Sequence, residues 1–376
     1  MVHLHSTLLK DPSTELWWHF SDPIQVIEVS DRKEVLSGLA TISDYVNQGY
    51  YSAGFLSYEA AAAFDPAYQT QALDQDFPLV WFGIYPKPTL LSFSDLIQLK
   101  SIDCYKIGEW SPTVRREEFV QVIHHLKAYI ALGETYQTNY TFRLRADFEG
   151  DAWAYFLNRI PSQPQSYAAF IQLGQHRIAS LSPELFFRQQ QHLVITRPMK
   201  GTIQRGSSLQ QDHQYAQMLR SSVKNQAENL MIVDMIRNDL GRIAEIGRVD
   251  VTHLFQIECH PTLWQMTSTI QARVLQSPTE VLKALFPCAS ITGAPKIRTM
   301  QLIQSLETDP RRIYTGAIGY VTPFQEAQFS VAIRTLLIDC HRQTAEYGVG
   351  SGIVWDSQPE EEYEECLSKA RILTYR

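Results

Sequence analysis

The chain has 376 residues, with 33 Lys plus Arg against 40 Asp plus Glu, for a formal net charge of −7. At 44% hydrophobic and 19% charged residues it has the apolar content to bury a core, which excludes a disordered chain. The acidic balance argues against nucleic-acid binding through a basic face, and no apolar run approaches the roughly 18 residues of a membrane helix.

In chain order, residues 25–29 alternate as a strand, 58–63 read as a short helical or tightly packed turn, and 79–82 form a second strand candidate. Pro86, Pro88 and Pro112 punctuate the next stretch and place a boundary near 110, dividing the chain into 1–110 and 111–376. Phe119, Val122, Ile123, Leu126, Tyr129 and Ile130 recur at spacings of three and four, which predicts a helix from Arg115 to a stop at Gly133. A strand over 136–144 and a helix near 153–158 come next, then strands at 166–173, 176–180, 185–189 and 192–195. One long helix is predicted over about 214–240, stopped by Gly241. Strands at 316–321, 327–333 and 347–354 complete the series, with Arg334 continuing the second. Adjacent strand pairs between helices, without a regular βαβ alternation, predict an α/β or α+β sandwich rather than a doubly wound sheet. The cysteines, Cys104, Cys259, Cys288, Cys340 and Cys366, form no CxxC, so free thiols in a reducing, cytoplasmic setting are expected and structural zinc is not.

Three features carry candidate chemistry. Glu228 lies among apolar neighbours on the long helix, while Glu362 and Glu365, three apart, share a face of a helix expected to start with a Ser357–Glu360 capping box. If the two helices meet, these carboxylates suit a hard cation such as Mg²⁺; otherwise they are a solvated acidic face. In Arg197-Pro198-Met199-Lys200-Gly201-Thr202 the glycine permits a sharp turn that can hold Lys200 still. In an apolar surrounding that lysine becomes a nucleophile, and on a hairpin surface it is an ordinary cation. Arg334, in an apolar run, needs an anionic partner: an internal carboxylate or a substrate carboxylate. The bare backbone of Gly350, Ser351 and Gly352, and the turn at Thr292 and Gly293, can also receive a carboxylate. No nucleotide-binding glycine loop, G-x-S-x-G elbow or convincing Cys–His pair is present.

Ser182-Pro183-Glu184-Leu185-Phe186, Pro198 to Thr202, Ala227-Glu228-Asn229 through Asp239, Thr292-Gly293-Ala294-Pro295-Lys296, Ala332-Ile333-Arg334-Thr335 and Gly350-Ser351-Gly352 stand in one order. Together they resemble the chorismate-utilising enzymes over about 111–376. The resemblance implies an α+β fold with a two-layer antiparallel β-sandwich flanked by helices. It implies Mg²⁺ on Glu228, Glu362 and Glu365, and substrate contacts from Arg334, Tyr320, Gly350, Ser351, Gly352, Thr292, Gly293, Gln137 and Gln265. Glu184 is implied as the general acid and Lys200 as the nucleophile. Lysine at 200 and glutamine at 137 resemble the members that aminate chorismate at C4, toward 4-aminobenzoate and folate. Ammonia would then come from a separate glutamine amidotransferase subunit, since no glutamine-hydrolysing machinery is apparent. Anthranilate formation and a non-catalytic chorismate-binding subunit are the alternatives. Gln265 stands where anthranilate-forming relatives place a histidine, and Asn225 where many relatives have an acid. Trp17, Trp18 and Phe20 occupy a region where some relatives hold tryptophan, with core packing the stronger reading.

Overall fold

The computed structural model describes residues 6–73, 76–99, 104–260 and 263–374. Two large antiparallel sheets lie face to face. The first runs in the order Gly293–Ala294, Gln137–Gly150, Thr344–Ile353, Thr335–Asp339, His176–Ser182, Tyr167–Leu173, Thr7–Lys10, Trp17–Phe20 and Thr89–Leu91. The second runs Met199–Gln204, Leu263–Val274, Leu193–Arg197, Leu185–Gln190, Glu326–Val331, Ala317–Val321, Tyr51–Leu56, Val80–Tyr85 and Gln25–Val29. Strands from both sides of residue 110 share both sheets, so the expected boundary does not divide them: Thr7–Lys10 pairs with Tyr167–Leu173, and Tyr51–Leu56 with Ala317–Val321.

Central strands such as Val80–Tyr85, Ala317–Val321 and Thr335–Asp339 are buried on both faces, so they read as apolar runs rather than alternations. In Val80–Tyr85, Val80, Phe82 and Ile84 point to the core beneath helices Val35–Asn47, Val223–Gly241 and Pro278–Leu285. Trp81 and Tyr85 point the other way, into the core between the sheets with Phe20, Phe55 and Ile318. A third core joins the first sheet to helices Arg116–Ala131, Ala152–Arg159 and Pro359–Lys369. The result is the α+β sandwich with flanking helices that the motifs imply. No described helix is long and apolar enough to cross a membrane.

Three local expectations are corrected. The long helix is two, Leu209–Ser221 and Val223–Gly241, because Ser222 is extended (ψ 105) and caps the second with its side chain. Arg334 does not continue a strand: Glu326–Val331 ends before it, and Arg334 has φ 52. Ser357 caps no helix. Pro359 at the first helical position makes Gln358 the cap, and Ser357 Oγ instead accepts the Val354 N–H at 3.1 Å. Trp17 and Phe20 are core residues, Trp17 edge-on to Phe156 at 6.1 Å and Phe20 against Tyr85 at 5.3 Å.

One buried ion pair ties the layers together. Arg311 and Glu307 are 1% and 2% exposed and meet at 2.6 Å. The guanidinium also donates to the carbonyls of Ile291 and Asn139, each at 2.7 Å. The backbone N–H groups of Arg311 and Arg312 donate to Glu59 at 2.6 and 3.0 Å. Removing one partner strands a buried charge, so Glu307→Ala is expected to cost roughly 3–5 kcal/mol in denaturant unfolding. A loss below about 1 kcal/mol would show that the pair does not hold the layers.

Candidate functional site

Two chain segments step from one sheet to the other side by side. Pro183 and Glu184 link His176–Ser182 to Leu185–Gln190; Ala332, Ile333 and Arg334 link Glu326–Val331 to Thr335–Asp339. The crossings are stitched by Val331 N–H to Glu184 O at 3.1 Å, Leu181 N–H to Arg334 O at 3.0 Å, and Ser182 Oγ to Val331 O at 2.5 Å. A cavity of about 370 Å³ opens there, with Glu184, Lys200, Glu228, Gln265, Arg334, Gly350, Ser351, Gly352, Glu362 and Glu365 in its walls.

Lys200 enters from strand Met199–Gln204, whose register against Leu263–Val274 slips between Met199 and Thr202. Such a bulge re-aims a side chain. Gly201 makes the turn at φ 77, and a Cβ there would meet Asn225 Cγ at 2.8 Å, so glycine lets helix Val223–Gly241 approach. Gln265 Nε2 donates to Gly201 O at 2.8 Å and steadies the turn. Lys200 Nζ donates to Ser290 O at 3.1 Å. Burial pushes its pKa below the usual lysine value, against the opposing pull of Glu228 and Glu184.

Glu184 is 3% exposed, and burial raises its carboxyl to about 7, with Ser290, Lys200 and the Met199 N–H pulling the other way. Its Oε1 has no hydrogen-bond partner among the described residues. Arg334 is enclosed enough that burial lowers its pKa, and no carboxylate is among the groups that offset this. Its Nη1 donates to Gln163 Oε1. The left-handed backbone at this non-glycine residue costs roughly 1–3 kcal/mol, the kind of strain kept where a side chain must be aimed.

Glu228 faces Glu362 and Glu365 from the opposite helix; burial raises its pKa first, and the two like charges add to that. Ser351 Oγ donates to Glu362, and Lys369 holds Glu365 at 2.7 Å and Gly350 O at 2.8 Å. The donor set, three carboxylates on one cavity, suits a hard cation. Among the described residues no three acidic, His or Cys side chains are gathered into a finished ligand sphere.

Four predicted residues lie outside the cavity walls. Tyr320 belongs to the core between the sheets, stacked on Trp18 at 4.8 Å, because its strand turns that face inward. Thr292 and Gly293 brace the loop behind the wall: Thr292 Oγ1 donates to Cys288 O at 3.1 Å, and Gly293 pairs with Thr138. Gln137 is 1% exposed and sits just behind Gly352, where an added Cβ would lie 2.8 Å from Gln137 Nε2 and 3.3 Å from Lys200 Nζ. Its Oε1 also has no partner among the described residues. Sequence reasoning missed Lys369, Tyr314, Tyr347 and Ser290, which line the cavity. Lys369 was findable, four residues after Glu365 on one helix. A second cavity, about 530 Å³, holds none of the predicted residues, and several of its charges pair with one another, as in Arg145–Glu346 at 2.9 Å and Arg312–Glu346 at 3.0 Å.

The chorismate binding enzyme family profile matches residues 98–375. Aminodeoxychorismate synthase component 1 of Salmonella typhimurium is 42% identical over 274 residues, covering 70% of this chain and 58% of that protein. The Escherichia coli K12 protein of the same name is 34% identical over 381 residues, covering 94% of this chain and 82% of that one. Anthranilate synthase component I of Streptococcus pneumoniae shares the fold at a TM-score of 0.82, with 24% identity, covering 100% of this chain and 93% of that structure.

The buried carboxyl of Glu184 gives a stability signature. A folded-state value near 7 against an ordinary 4.5 means that the folded protein loses stability as pH rises through that window, by up to about 3 kcal/mol. Glu184→Gln removes the penalty. Its melting temperature is expected to exceed that of the parent at pH 8, with the gap closing toward pH 5. A gap independent of pH would show that Glu184 does not titrate there.

Proposed function

This chain belongs to the chorismate binding enzyme family, and we propose that it converts chorismate and ammonia to 4-amino-4-deoxychorismate. The observation that carries the reading is the convergence of Lys200, Glu184 and Arg334 on one cavity that three carboxylates also face. Curated relatives of both lengths of match carry the aminodeoxychorismate synthase component 1 name. That name also supports a partner component, for which a glutamine amidotransferase supplying ammonia is the proposed identity. The five cysteines are free, which fits a reducing cytoplasm.

Arg334 and the Gly350–Gly352 backbone would receive the substrate's carboxylates, with the guanidinium able to take one in bidentate fashion. Lys200, favoured as the neutral amine by burial, attacks C2 of the ring. The two ring double bonds shift and the C4–O bond breaks. Glu184, protonated below about pH 7, gives its proton to the departing hydroxyl, which leaves as water. Ammonia then adds at C4, the double bonds shift back, and the C2–N bond breaks to release Lys200 as an amine. The proton shed by the new ammonium group restores Glu184. Two substitutions thus replace one with a poor leaving group. Gln137 lies just behind Gly352 and is neutral, so it cannot deprotonate water. Mg²⁺ held by Glu228, Glu362 and Glu365 would anchor a substrate carboxylate, stabilise negative charge there, and lessen the pull of those acids on the Lys200 proton.

Purified protein given chorismate, Mg²⁺ and ammonium is expected to form 4-amino-4-deoxychorismate, identified by mass and by its conversion to 4-aminobenzoate with an added lyase. Release of 2-aminobenzoate instead would overturn the assignment. Lys200→Ala is expected to abolish this product, and Glu184→Gln to slow it by about 10²–10⁴-fold. Without ammonia, the parent should gain the mass of dehydrated chorismate, and Lys200→Ala should not. In calorimetry, Glu362→Ala is expected to weaken Mg²⁺ binding by about tenfold or more; unchanged affinity would remove that residue from the cation site.

A further inference from the structure

The structure treats two site-region arginines, Arg311 and Arg334, in opposite ways. Arg311 is neutralised by Glu307 at 2.6 Å. Arg334 is not: its side-chain hydrogen bond goes to Gln163, a neutral amide, and no Asp or Glu among the described residues forms an ion pair with it. A buried cation ordinarily recruits a carboxylate. Gln163 is well placed to have been one. It lies in the tight turn after Ile160–Ser162, where its N–H donates to Ile160 O at 3.0 Å. Its own carbonyl accepts from Ser166 N–H at 3.1 Å and Ser166 Oγ at 2.7 Å. The backbone carrying the amide is tied on both sides, which fixes where the side chain starts, and from there the amide oxygen reaches Arg334.

We propose that Gln163 is a positioning residue for substrate recognition: it aims the Arg334 guanidinium into the cavity while leaving its positive charge to be neutralised by a carboxylate of the substrate. The inference rests on chorismate being that substrate. Aim and charge are separable here. A glutamate at 163 keeps the shape and the hydrogen bond but supplies an internal counter-ion, so the free protein gains an ion pair and the incoming carboxylate loses its reward. A methionine keeps the length and loses the acceptor, so the charge stays available and only the aim is lost.

The experiment compares the parent, Gln163→Glu and Gln163→Met by steady-state kinetics and by thermal melting, and compares chorismate binding with Mg²⁺ by calorimetry for the same three side chains at 163 in a Lys200→Ala background, which cannot form the covalent adduct. For Gln163→Glu the expected result is a KM and a binding constant for chorismate raised by about tenfold or more, a kcat within about twofold of the parent, and a melting temperature raised by a few degrees. Gln163→Met should raise KM by only a few fold, with no gain in melting temperature. A purely structural role would instead lower the melting temperature of both variants and leave chorismate affinity in the folded fraction unchanged. Unchanged affinity in Gln163→Glu, or its failure to fold, overturns the proposal. A Lys200→Ala protein with Gln163 intact that binds no chorismate, together with a parent that does not turn it over, overturns the substrate assignment itself, and that control reads the failure separately.

Discussion

Everything at the candidate site depends on two neighbouring crossings between the sheets. Where Ser182 hands the chain to Leu185, and Val331 hands it to Thr335, the strands leave their ladders together and remain bonded to each other. Strands that change sheet need irregular backbone at the corner. That irregular backbone carries the acid Glu184 on one crossing and the cation Arg334 on the other. Because the crossings are stitched through main-chain groups, the spacing of the two side chains is set by the sandwich and not by a flexible loop.

Around those crossings the protein separates charge from counter-charge unevenly. Deep between the layers, Arg311 and Glu307 neutralise each other and hold the carbonyls of Asn139 and Ile291, both of which line the cavity wall. In the cavity the balance is left open. Glu184 is buried with an oxygen that has no partner among the described residues, and Glu228 faces two like charges. Lys200 donates to a carbonyl rather than to a carboxylate. The buried Glu184 and the crowded Glu228 cost stability in the free protein, and in the proposed complex a cation would relieve the carboxylate crowding at Glu228. The proposed chemistry uses the same imbalance: burial penalises the charged forms of both groups, raising the Glu184 carboxyl to about 7 and shifting Lys200 toward its neutral amine.

Some of this was readable from residues. The helix at Arg116–Ala131 follows its three-and-four spacing, and Glu362 with Glu365 share a cavity face as their separation requires. Ser222 was harder, because a serine inside a helical pattern is tolerated as easily as it caps. Tyr320 misled for a different reason: the strand has two buried faces, and sequence alternation alone does not say which one meets the other sheet and which the helices. Gln163 carried no local signal at all, since its significance lies in a contact 171 residues away along the chain.

The amino-acid sequence by itself determined the family through six ordered motifs, the main amphipathic helices, and which residue types were available for acid, amine and cation-binding roles. Those depend on local spacing and side-chain identity, which one dimension records. Only the tertiary structure decided that Arg334 meets the neutral Gln163 and no ion-paired carboxylate among the described residues, that Gln137 lies behind Gly352, and that Thr292, Gly293 and Tyr320 stand off the cavity. Such facts depend on burial and on through-space pairing between distant strands. The same residue is a solvated charge or a chemical group according to what the fold places beside it.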